Sequence, residues 1–390
     1  MNVNVMNMNK ETESSNSMLL EELLVVISKK LDTTIGVVRF RSICSLWRSL
    51  LPPPPTSHNL CIRHSKYSLL QTKIYRIEPS PHDHNPTTSS PSNKGLIIKV
   101  FKNSESSKLH LYDLFTNERI QIKETNEKVL NLLNFRVVEL FELYTQSHSE
   151  NDIKLKCVAF HNPCNVCKVC KVILFSIEDR RMVFALHNNK EIKVSSIGES
   201  EDVTFTLKDD CGENKYFDDI IHYKGQIYVV DKMGTVFWVN AFTLELVQFS
   251  PKNMYYCVEN RHIKHISVNS NFNKKQLVEY GGSLYVVDLY VNDERYYKRG
   301  YFLKAVFVEV YKLDQEWGKW LEVKDLGDVS FVLGRDSNFA LLAQDYYGCE
   351  GNCIYFYHES KVSCFNLKNS EPKLADIFWP SPTLFHPMGI

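Results

Sequence analysis

Apolar residues change their spacing along this chain, and the change divides it. Leu19, Leu20, Leu23, Leu24, Ile27 and Leu31 recur at three- and four-residue steps, which predicts an amphipathic helix. Asp32, Thr33 and Thr34 then interrupt it with turn and cap chemistry. A second helical stretch places Phe40, Ile43, Cys44, Trp47 and Leu51 on one face and Arg39, Arg41 and Arg48 at polar positions. Pro52 to Pro55 end it, because proline lacks the N–H of the helix ladder and restricts the residue before it. Two helices of that size bury too little apolar area to stand alone, so they need a partner, either the rest of the chain or another protein.

From Gly95 onward the pattern becomes short β-branched and aromatic runs separated by Gly, Asn and Asp, the texture of successive antiparallel strands. Gly95 to Phe101, Leu109 to Tyr112, Phe135 to Leu140, Lys171 to Phe175 and Arg181 to Ala185 are such runs. Ile220 to Asp231 and Leu277 to Asp288 resemble each other closely, and each reads as a strand, a glycine-containing turn and a second strand. Phe339 to Tyr357 is a looser third copy. Tyr228, Tyr285 and Tyr355 recur 57 and 70 positions apart, near the step of a four-stranded propeller blade with insertions. A β-propeller is therefore expected in preference to a sandwich, because radial repetition leaves only short, protected edges.

The fold class expected is α+β and multidomain: a short N-terminal helical module followed by a mainly antiparallel β-propeller-like domain. The divisions are a disordered tail over 1–17, the helical module over 18–52, a linker with first strands over 53–93, and the propeller over 94–390. Lys+Arg and Asp+Glu each number 46, so no net field attracts nucleic acid or an anionic membrane. Met1 to Met18 hold no apolar h-region, and the run Leu23 to Ile27 is far shorter than a membrane span. Eleven scattered cysteines without a secretory signal read as reduced thiols, which places the chain in the nucleus and/or cytoplasm.

The first helical run, Leu19 to Asp32, together with Val38 to Ser49 and the proline run, resembles a plant F-box, Arg39 to Arg48 being its more specific part. Leu326 to Arg335, Gly348 to Phe356 and the tail Phe378 to Pro382 are similar to the C-terminal domain of the same plant proteins. That domain is a kelch-related one of unknown function, found in Skp-interacting-partner-like proteins. The resemblance implies that Leu19, Leu23, Leu24, Ile27, Leu31, Phe40, Ile43, Cys44 and Trp47 bind the Skp adaptor, and through it cullin. The propeller would then hold an unidentified protein substrate for an SCF-type ubiquitin ligase. Residue pattern alone allows the same helices to pack on the propeller. Leu20 stands where the family usually has proline, and no tryptophan precedes it. That departure keeps a second expectation open, a propeller-only interaction module with a degenerate F-box that recruits no ligase.

Other chemistry is thin. His161, Cys164, Cys167 and Cys170 are potential soft-metal ligands at three-residue steps, but no second Cys-x-x-Cys knuckle accompanies them, so loop cysteines are expected and no cofactor. Cys349 and Cys353 flank a Gly-Asn turn and read as small buried residues. Asp218, Asp219 and His222 would form an acid/base group only with a nucleophile, which no motif supplies, and turn capping accounts for the aspartates. No enzymatic activity is expected. The 20 tyrosines and 22 phenylalanines read mostly as core, with some left for a binding face.

Overall fold

A computed structural model describes residues 22–27, 37, 40, 41, 43, 45–50, 60–61, 67–79, 94–102, 109–120, 135–148, 169–178, 180–197, 204–207, 215–251, 273–291, 306–316, 318–358 and 361–375. The chain divides into two compact units, Met1–His58 and Asn59–Ile390. In the first, residues 22–27 are helical and helix α1 spans Ser45–Leu50.

Among its described residues the second unit is built almost wholly of strands, which fall into five groups. The first holds β1 (Leu60–Cys61), β2 (Tyr67–Pro79), β3 (Leu96–Lys102), β4 (Leu109–Tyr112) and β5 (Phe135–His148). The second holds β6 (Val169–Ile177), β7 (Arg180–His187), β8 (Ile192–Ile197) and β9 (Thr204–Thr206). These two share one hydrogen-bonded sheet, but β5 and β6 pair only at Tyr144 and Val172. The third is β10 (Phe217–Tyr223), β11 (Gln226–Asp231), β12 (Val236–Val239) and β13 (Leu246–Gln248). The fourth is β14 (Asn273–Tyr280), β15 (Ser283–Val291), β16 (Val306–Asp314) and β17 (Lys319–Val323). The fifth is β18 (Val329–Leu333), β19 (Asn338–Leu342), β20 (Cys353–His358), β21 (Lys361–Asn366) and β22 (Glu371–Leu374). Strand β2 belongs to the first group although it lies in the 53–93 segment read as linker and first strands.

Strand alternation explains how these groups become a ring. In β11, Ile227 and Val229 pack toward the second group while Tyr228 and Val230 pack toward the fourth. In β15, Leu284 and Val286 face the third group while Tyr285 and Val287 face the fifth. Both faces are buried, which is why these strands are continuously apolar. The circuit closes where Ile74 and Ile97 of the first group meet Val332, Phe339 and Tyr355 of the fifth. Each of the three repeated tyrosines thus fills the seam toward the next sheet.

The two close repeats are hairpins. Lys224 and Gly225 turn the first with φ of 46° and 76°, and Gly281 and Gly282 turn the second with 56° and 69°, the left-handed pairs that two-residue hairpins require. The third copy departs from this. Its strands β19 and β20 do not pair with each other, because β18 lies between them, antiparallel to β19 and parallel to β20. Tyr355 nevertheless keeps its place: it stands opposite Val332 as Tyr228 stands opposite Ile221 and Tyr285 opposite Val278.

Candidate functional site

In the N-terminal unit the residues matched to an F-box separate by exposure. Leu24 and Phe40 are buried, and the Phe40 ring lies 4.5 Å from that of Trp47. Leu23, Ile27 and Ile43 are exposed at 56%, 46% and 58%, joined by Val26 and Leu46. Arg41 and Arg48 brace the segment by exchange, each donating from its guanidinium to the other's carbonyl at 2.8 and 3.2 Å. Leu19, Leu31 and Cys44 lie outside the described residues.

In the strand-built unit, β6, β10, β14 and β19 meet one another across the groups, and polar side chains link them. The register of β10 shifts between Phe217 and Asp219, a bulge that turns both consecutive carboxylates inward. Asp219 accepts from Lys171 Nζ at 2.9 Å, from the Leu277 backbone N–H at 2.8 Å and from Asn338 Nδ2 at 2.7 Å. Asp218 accepts from Lys190 Nζ at 2.6 Å and from the Lys275 N–H at 3.0 Å. Gln276 Nε2 in turn donates to Asn338 Oδ1 at 3.2 Å. Three groups thus converge on Asp219, and satisfied hydrogen bonds offset the cost of burying its charge.

This arrangement corrects the reading of Asp218 and Asp219 as turn caps: they lie within a strand and bind neighbouring sheets. His222 does not join them. It is exposed, with its ring 5.6 Å from that of Phe175, so the three residues do not assemble an acid/base group.

The turn between β18 and β19 reaches across to the first group. Gly334 has no room for a side chain, since a Cβ there would lie 2.8 Å from the carbonyl oxygens of Leu114 and Ser337. Arg335 donates its backbone N–H to Phe115 O at 2.9 Å, and Asp336 accepts from Lys99 through both oxygens at 2.6 Å. A pocket of about 100 Å³ opens beside this turn, lined by Thr116, Asn117, Tyr144, Lys171 and Arg335 among others. No pattern along the sequence points to it, because its walls come from three strand groups.

Of the candidate metal ligands, His161, Cys164 and Cys167 lie outside the described residues, and Cys170 is a partly buried thiol in β6. Among the described residues no cluster of three or more His, Cys, Asp or Glu could hold a metal ion. Cys353 is fully buried, and Cys349 is held protonated, burial pushing its thiol up to about 11.

The KIB1-4 beta-propeller family model matches residues 66–371. The F-box protein At4g35733 of Arabidopsis thaliana is 32% identical over 352 residues, covering 89% of this chain and 90% of its own. The F-box protein At2g26160 of the same plant is 28% identical, covering 89% of this chain and 96% of its own. The Arabidopsis F-box protein SKIP23 is 25% identical across 94% of each chain. Among solved structures, apo AztD from Citrobacter koseri aligns over 72% of this chain and 60% of its own at 9% identity, with a TM-score of 0.27, too low to bear on the comparison. With a family match spanning most of the chain and relatives spanning nearly all of it, this chain belongs to the KIB1-4 beta-propeller family and is a plant F-box protein.

Proposed function

We propose that this chain is the substrate receptor of an SCF-type ubiquitin ligase in the nucleus or cytoplasm, with its N-terminal helices on the Skp adaptor and its propeller on a target protein. The observation that carries the reading is the exposure of Leu23, Ile27 and Ile43 in the N-terminal compact unit. A small helical unit with apolar side chains turned to solvent is suited to a protein partner. Among the described residues, the core of the propeller lies in the seams between its own sheets. It is a non-catalytic holder, related in this reading to kelch-type rings.

Such a receptor acts by position. Target and ubiquitin-loaded enzyme are held on one scaffold, which raises their effective concentration while the chemistry stays with the enzyme. Leu20, where related F-boxes have proline, supports the second reading, a propeller binder that recruits no ligase. Co-expression with a plant Skp adaptor followed by gel filtration separates the two. The receptor reading expects one peak containing both polypeptides, and separate elution of a folded chain would favour the free-standing propeller.

A further inference from the structure

We infer that the pocket beside Arg335 receives one acidic side chain, Asp or Glu, of a bound polypeptide. The inference rests on the receptor reading only in treating that polypeptide as a captured target. At about 100 Å³ the pocket is well below the roughly 300–1,000 Å³ of small-ligand sites, and it suits a single head group.

Its polar groups define the occupant. Arg335 is exposed, and among the described residues its guanidinium has no acceptor. It is a planar donor fork suited to a carboxylate. Lys171 also lines the pocket, but its ammonium is already held by Asp219. Asn117 also lines the pocket, but its Oδ1 is buried and presents no surface to an entering group. A peptide side chain ending in a carboxylate offers the Arg335 fork a planar pair of acceptors. A phosphate dianion fits less well, because its second negative charge meets Glu118 in the same wall.

The arginine is held for this. Gly334 lets the turn approach Leu114, and the Arg335 N–H bond to Phe115 and the Lys99 pair with Asp336 fix the residues on either side of the guanidinium's attachment.

The test pans a random peptide library against the full chain and its Arg335→Gln and Arg335→Glu variants. Wild type should select Asp or Glu at one fixed position, and Arg335→Gln should weaken the selected peptide about tenfold to hundredfold. Arg335→Glu should switch that position to Lys or Arg. An absence of acidic selection, an acidic preference that survives Arg335→Glu, or tighter binding of a matched phosphoserine peptide would overturn the assignment. Adaptor binding measured on Arg335→Glu keeps the two readings apart: an intact adaptor complex without peptide selection removes the pocket alone, and peptide selection without adaptor binding removes the receptor alone.

Discussion

Lys99 in β3 places its ammonium 2.6 Å from both carboxylate oxygens of Asp336, 237 residues away, with both side chains almost fully buried. The pair ties the first strand group to the last, across the seam where a ring built from one chain must close. An apolar seam can slide, whereas a buried ion pair is satisfied in one alignment, so it also fixes the turn that carries Arg335.

Removing one partner should be costly. Lys99→Met leaves a carboxylate buried without its cation, and the ring should lose about 3–5 kcal/mol. The double variant Lys99→Met/Asp336→Leu should recover most of that loss. Denaturant unfolding checks both, and a double variant no better than the single one would assign the loss to packing.

Asp219 and Asn338 should be coupled. Their 2.7 Å hydrogen bond joins the third group to the fifth. Asp219→Ala and Asn338→Ala, measured singly and together, should show an interaction energy of about 0.5–3 kcal/mol. Strict additivity would mean that the groups close independently of this bond.

Gly334→Ala should destabilise the protein by about 1–3 kcal/mol, because the new Cβ meets two backbone oxygens that cannot move aside as a side chain does. Displacement of the turn should also weaken acidic peptides, so a stability loss without a binding change would separate Gly334 from the pocket.

Alkaline pH should weaken the fold. Burial raises the Cys349 thiol from 9.0 to about 11 and the Tyr346 phenol from 10.0 to about 12. As pH climbs through these windows the unfolded chain releases its protons before the folded one does. The stabilisation is therefore complete below about pH 9 and is lost progressively toward pH 12. Unfolding measured from pH 8 to 11 should show the decline, and Cys349→Ala should make it shallower.

The ring is legible in the sequence where its contacts are periodic. Tyr228, Tyr285 and Tyr355 reveal the repeat because each fills an equivalent seam. The third copy misleads because β18 enters between β19 and β20, and an inserted strand leaves no mark on the spacing of its neighbours. Local chemistry makes Asp219 look like a turn residue because its partners Lys171 and Asn338 are 48 and 119 positions distant. The pocket is invisible for the same reason. At the N-terminus, helical periodicity identifies Leu23, Leu24, Ile27, Phe40 and Ile43 as one set, but periodicity does not distinguish the buried Leu24 and Phe40 from the exposed remainder.

Titration of the full chain with the Skp adaptor by calorimetry, wild type against Leu23→Asp/Ile43→Asp, bears most directly on the receptor reading. Both side chains are more than half exposed, so the fold should tolerate the change, which circular dichroism and the unfolding midpoint verify. Wild type should bind saturably and the double variant should not. No binding by a well-folded wild type would contradict a receptor role, and equal binding by both proteins would contradict attachment through Leu23 and Ile43.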